Sequence, residues 1–123
     1  MNNIKLSIIV PSIRTENWAT IFNSVKNNIG NYPFEVIFIG PNINLSDELV
    51  QYKNIKCIRD FGCPSRSMQI GALFAEGKYL SWICDDGIFV DGAIGRIIER
   101  LENKNNPKFW YNWIYTEGDE YLT

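Results

Sequence analysis

Histidine is absent from the 123 residues, and with it goes every mechanism that needs an imidazole: a Ser-His-Asp or Cys-His nucleophile, a His-ligated zinc, a His general base. Carboxylates and basic groups are left to do chemistry. Positive charge is not in excess either, since 12 Lys and Arg face 14 Asp and Glu for a net charge of −2. No basic field holds a nucleic-acid backbone or an anionic membrane, and an anionic ligand has to be met locally. Cysteines number three, Cys57, Cys63 and Cys84, at irregular spacing and without a CxxC; this speaks against a disulfide framework and for a reducing, cytoplasmic setting. The apolar stretch that ends at Pro11 is too short to span a membrane and carries no small-residue cleavage site. No repeat, low-complexity segment or linker interrupts the sequence, so residues 1–123 read as one domain, with 46% hydrophobic residues to build its core.

What is present is an alternation of short β-branched runs with amphipathic ones, the rhythm of an α/β fold. Leu6 to Val10 is nearly all apolar and stopped by Pro11, as in a strand covered on both faces. Trp18, Ile21, Phe22, Val25 and Ile29 then fall at helical spacing, with Thr15 as the expected N-cap and Gly30 as the stop. Phe34 to Ile39 and Ile55 to Ile58 read as the next strands, with a helical turn within Ser46 to Tyr52 between them. Ser65 to Ala75 is a helix whose Met68, Gly71, Ala72 and Ala75 form a small-residue face, suited to lying close on a sheet. Tyr79 to Cys84 is a strand. Asp91 is the expected cap of a helix with the stripe Ile94, Ile97, Ile98 and Leu101, closed by Asn103 to Asn106 and Pro107, and Phe109 to Tyr115 is a last, aromatic strand. Its Trp and Tyr residues suit core or interface packing better than a base-stacking platform.

Strands joined through helices run parallel, so the turns from strand to helix share the carboxyl edge of the sheet, where ligands of such folds bind. Those turns bring together Ser12, Arg14, Glu16, Asn42, Arg66, Asp85 and Asp86. Asp85 and Asp86 end an apolar run, where charge needs a counter-charge. Their hard oxygens suit Mg²⁺ or Mn²⁺ bridging substrate phosphates, although Asp-Asp-Gly is also a good turn sequence. On a continuing strand the two carboxylates would point to opposite faces and divide their roles. Arg66, in the first turn of its helix after Gly62-Cys63-Pro64-Ser65, pairs a guanidinium with free backbone N–H groups as a cradle for a diphosphate, or else is a solvated surface residue. Arg14 and Glu16 also read as a surface ion pair.

In this order the features resemble a known family. Ser7-Ile8-Ile9-Val10-Pro11-Ser12, Phe34-Glu35-Val36-Ile37-Phe38-Ile39, Ser65-Arg66-Ser67-Met68-Gln69-Ile70-Gly71-Ala72 with Ala75-Glu76-Gly77-Lys78-Tyr79-Leu80, and Asp85-Asp86 are similar to the amino-terminal half of a family 2 glycosyltransferase with the GT-A fold, over about residues 4 to 102. The resemblance implies a Rossmann-like, mostly parallel sheet flanked by helices. It implies inverting transfer of a sugar from a nucleotide-diphosphate donor, usually a UDP-sugar, to an acceptor such as a sugar or lipid-linked sugar. It places the nucleotide on Pro11, Ser12, Arg14 and Glu16, and on Gly40 and Asn42 after the second strand. It places Mn²⁺ or Mg²⁺ on Asp86, with Asp85 beside it, and gives Arg66 the leaving diphosphate.

Two departures bear on this. Gly40-Pro41-Asn42 stands where many relatives carry an acidic residue that reads the base, and Met68-Gln69 where many carry Arg-Asn. The family's acceptor site and its catalytic carboxylate come from a second half beyond the metal motif, so the chain is expected to be a donor-binding domain, either truncated or naturally short, with no catalytic base of its own. Glu117, Asp119 and Glu120 fit a polar loop better than that base. Self-association through Trp110, Trp113 and Ile114 is one expected result of truncation. The rivals are a nucleotide-sugar binding module that transfers nothing and a nucleotidyltransferase; against the latter, Pro11-Ser12-Ile13-Arg14 lacks the glycines of a phosphate-gripping loop.

Overall fold

Strand and helix runs alternate as the sequence leads one to expect, and the computed structural model describes them over residues 3–89 and 92–103. In chain order these are β1 (Leu6–Pro11), α1 (Trp18–Asn28), β2 (Phe34–Gly40), α2 (Asp47–Val50), β3 (Ile55–Arg59), α3 (Pro64–Phe74), β4 (Tyr79–Trp82) and α4 (Ala93–Glu102). The four strands form one parallel sheet in the order β3-β2-β1-β4, a Rossmann-like arrangement with helices on both faces. No described helix is long and apolar enough to cross a membrane.

Alternation along each strand decides which side chain meets which helix. On one face Leu6, Ile8 and Val10 of β1 and Val36 and Phe38 of β2 pack with Trp18, Phe22 and Val25 of α1 and Ile94 and Ile98 of α4. Trp18 lies flat on Phe38, ring centroids 4.3 Å apart and planes 10° from parallel. On the other face Ile9, Ile37 and Ile39 meet Met68 and Ile70 of α3. Of the expected small-residue face of α3, Gly71 makes the close contact, since a Cβ there would lie 2.5 Å from Ile9 Cγ2 and only glycine lets the helix settle this close; Met68 and Ala75, just past the helix end, pack beside it, but Ala72 is exposed.

Three expected boundaries shift, each for a local reason. Thr15 does not cap α1; Thr15–Asn17 form a 3-10 turn that leads into the helix, and the flanking Asn17 makes no side-chain capping bond, while its Nδ2 donates to the Asp85 carbonyl at 2.8 Å. The helix after β3 begins one residue early, at Pro64, whose missing N–H is harmless in a first turn. The strand expected to run to Cys84 ends at Trp82. Ile83 N–H still reaches the Ile9 carbonyl at 3.1 Å, but Gly87 N–H then closes back on the Cys84 carbonyl at 3.1 Å, so Asp85 and Asp86 occupy the centre of a turn. The expected cap Asp91, the strand Phe109 to Tyr115 with its aromatic residues, the closing Lys104 to Pro107 and the carboxylates Glu117, Asp119 and Glu120 lie outside the described residues.

At the amino edge of the sheet, ion pairs tie the elements together. Glu35, 1% exposed on β2, accepts from Ser7 Oγ at 2.6 Å and from Glu76 N–H at 2.7 Å, and pairs with Lys56 Nζ at 2.8 Å. Lys56 also reaches the Glu76 carboxylate and the Phe74 carbonyl. Ser7 Oγ accepts from Gly77 N–H at 2.8 Å, and a Cβ on Gly77 would lie 2.6 Å from Ser7 N. The Ala75-Glu76-Gly77 run is thus the contact that docks the α3–β4 turn on β1 and β2. Beside it, the Glu102 carboxylate at the end of α4 gathers Lys5, Lys78 and the Tyr79 hydroxyl, which together hold its pKa down at about 2.

Candidate functional site

The strand order reverses at β1: the chain steps outward from β1 to β2 to β3, then returns past them to place β4 on the other side. In parallel sheets a ligand crevice opens at the carboxyl edge where such a reversal occurs. Here it lies between the loop after β1, Ser12 to Arg14, and the Cys84–Gly87 turn after β4.

Asp85 joins the two. Its Oδ2 accepts from the backbone N–H of Ile13 and of Arg14, each at 3.0 Å, and from Ser12 Oγ at 3.2 Å; its Oδ1 takes Arg14 Nη1 at 2.7 Å. Ser12 Oγ in turn accepts from Trp18 Nε1 at 2.7 Å, which anchors the loop to the core through the stacked indole. Burial acts to raise the Asp85 pKa, but the Ile13 and Arg14 N–H groups, the Ser12 hydroxyl and the Arg14 charge outweigh it and leave the carboxylate below its ordinary value. Asp85 is a charged clasp on the β1 loop. Asp86, next in the turn, is exposed.

A cleft of about 340 Å³ runs along this edge and is lined by Pro11, Ser12, Arg14, Gly40, Asp85 and Asp86 among others, so six of the expected residues converge. Its shape depends on Gly40, where a Cβ would lie 1.8 Å from the Ser12 carbonyl oxygen: the ends of β1 and β2 touch there. Asp85 and Asp86 also line a second cavity of about 200 Å³ with Asn17, Thr20 and Ile88. Glu16, Asn42 and Arg66 do not line the cleft. Arg14 pairs with Asp85 rather than Glu16. Arg66 donates through Nε to Asp60 at 3.0 Å, and Asp60 is held below its ordinary pKa by Gly62 N–H and by Arg66. Sequence reasoning misses Trp82, Cys84, Pro64 and Ser67, which also line the cleft. Period-two alternation carries a signal for the first two, since Trp82 and Cys84 fall on the α3 side of β4, yet nothing in their type marks them as more than strand residues.

The donor set meets a divalent cation only in part. Among the described residues no group of three or more His, Cys, Asp or Glu could hold a metal by itself. Both oxygens of Asp85 are engaged by the β1 loop, and the Cys84 thiol is pushed up by burial and by the charges of Asp86 and Asp85, which works against the thiolate that a soft ligand needs. Asp86 offers one hard carboxylate with no partner among the described residues. That fits Mg²⁺ or Mn²⁺ in the mode in which the protein supplies one carboxylate and substrate phosphates and water complete the shell. No model of a known protein family matches the chain, and no curated protein matches it either.

Proposed function

We propose that this domain binds a nucleoside diphosphate sugar and serves as the donor-binding part of an inverting glycosyltransferase of the family 2 kind. The observation that carries the reading is the division of labour in the Asp85–Asp86 turn: one carboxylate clasps the β1 loop, and its neighbour stands free at the mouth of a cleft at the sheet's reversal point. A pre-clasped loop holds the site without reorganisation on binding, which is where preorganised sites gain affinity. Asp86 would hold the cation, and a bound cation supplies neutralisation of the charge that develops on a departing diphosphate. Arg14, which lines the cleft, is the side-chain cation placed to assist, a role the resemblance gives to Arg66.

Thermal shift tests the proposal. UDP should raise the melting temperature in the presence of Mn²⁺ or Mg²⁺ and not without it, as expected of a ligand that binds only the folded state. Asp86→Ala should remove the shift. Equal shifts with and without metal, or none with any nucleotide, would overturn the assignment. A binding module that transfers nothing is the second reading, favoured by one observation: among the described residues Asp85 and Asp86 are the only carboxylates lining either cavity, which leaves no group there to deprotonate an acceptor. Labelled UDP-sugars offered with an acceptor mixture separate the two, since a positioned base contributes about 10²–10⁴-fold.

A further inference from the structure

The buried polar side chains of the described residues are Ser7, Ser12, Glu35, Ser67 and Asp85. Four of them are bonded to other side chains or backbone within the chain. Ser67 differs. It is 3% exposed, its backbone N–H donates to the Cys63 carbonyl at 3.0 Å, and its hydroxyl has no partner among the described residues. Since no fully enclosed side-chain oxygen is left unbonded and Ser67 lines the cleft, its Oγ faces the cleft's open space.

Its position follows from the helix. Ser67 stands one turn before Gly71, which lies against Ile9 of β1 and Ile39 of β2, so it sits over the carboxyl ends of those two strands, on the far side of β1 from Asp86. Charge divides the cleft in the same way. At the β4 side are Asp85 with Arg14, and Asp86; at the Ser67 side the lining is Ile39, Pro41, Gly62 and Pro64, and the nearby Arg66 is turned to Asp60. One end is therefore neutral, apolar and furnished with a single hydroxyl, and the other is charged.

We infer that Ser67 reads the hydrogen-bonding edge of a neutral planar ring, the nucleobase of the ligand, held between the ends of β1 and β2 and the first turn of α3. The inference rests on the nucleotide reading above and adds the residue that sets base preference. A hydroxyl rotates to donate or accept, so it serves a ring edge that carries both carbonyl and N–H groups. A buried site group left unpaired by the wrong ring discriminates against it.

Calorimetric titration of UDP, CDP, ADP, GDP and inorganic pyrophosphate, with Mg²⁺, into the wild-type chain and Ser67→Ala tests this. The preferred nucleotide should weaken by about ten-fold, the usual scale for one hydrogen bond. The spread among the four should narrow, and pyrophosphate should bind as before. Thermal stability should not fall, because the hydroxyl gives up no bond within the described fold. Unchanged affinities and spread overturn the role of Ser67 and leave the nucleotide reading standing. An equal loss for pyrophosphate overturns it by moving Ser67 to the phosphates, and a clear drop in melting temperature does so by showing a structural bond. A wild-type chain that binds none of the five overturns both.

Discussion

At the amino edge of the sheet, Glu35, Lys56, Glu76 and Ser7 bond one another, and Glu102 gathers Lys5, Lys78 and Tyr79. At the carboxyl edge, Asp85 is equally well bonded, yet the side chains of Asp86 and Ser67 beside the same cleft have no partner among the described residues. Both edges carry carboxylates, and at both a glycine admits a backbone contact that no side chain could share, Gly77 on Ser7 and Gly40 on Ser12. Polar side chains satisfied wholly within the chain are architecture. Those left over next to a cavity are where a ligand finds its partners, and satisfaction separates the two cases better than residue type does.

Breaking the carboxyl edge at its tightest point should have the largest effect. Gly40→Ala places a Cβ on the Ser12 carbonyl, where backbone cannot yield, and should destabilise by more than about 3 kcal/mol in urea unfolding, beyond the usual range for overpacking. At the amino edge, Glu35→Ala should come next, at about 2.5 kcal/mol: it leaves the Glu76 N–H and the Ser7 hydroxyl without their acceptor and takes from Lys56 one of its two carboxylates, a loss moderated by the one that remains and by the partial exposure of Lys56. Nucleotide affinity should not change, and a loss of binding in this variant would erase the distinction between the edges.

The Asp85–Asp86 turn sharpens the comparison within one edge. Asp85→Ala should cost about 2 kcal/mol of stability through the unpaired N–H groups of Ile13 and Arg14, and weaken nucleotide binding as the loop loosens. Asp86→Ala should stay within about 0.5 kcal/mol of wild type, as surface changes do, while losing metal-dependent binding. Equal stability for the two variants would show that the clasp does not act.

The smallest effect is a pH dependence. Because Glu102 has a folded pKa of about 2 against an ordinary 4.5, its contribution is present in full above pH 4.5 and is lost as pH falls from there toward 2. Asp85, also depressed, acts in the same direction. Urea midpoints should decline over that window, and Glu102→Gln should flatten the decline.

The sheet was legible because β1 and β2 are apolar on both faces, and the close seat of α3 because Gly71 falls on its inner side. Topology alone gathers Ser12, Arg14, Asp85 and Asp86, along with Glu16, Asn42 and Arg66, which do not line the cleft, and the family resemblance adds Pro11 and Gly40, which do. The bonding among them was not legible, since the clasp joins a carboxylate to backbone N–H groups, and backbone donors leave no mark in a sequence. Arg66 was misplaced for a related reason: Asp60, six positions back, competes for it, and loop geometry decides that contest. Glu35 was the missed signal, a carboxylate inside an otherwise apolar strand that had to have a partner. Ser67 looked no different from Ser65 until burial separated them.

The clasp also has a consequence in time. Ser12 and Asp85 are 73 positions apart, and β1, the first of these four strands to be made, gains its second neighbour only when β4 arrives. Contacts this distant form slowly, because closing the intervening chain precedes any reward from the contact. A growing chain can pair β1, β2 and β3 and bury α1 while the Ile13 and Arg14 N–H groups still face water. Ligand competence is therefore acquired after the sheet has begun to form, in the step that brings the residue-85 turn to the end of β1.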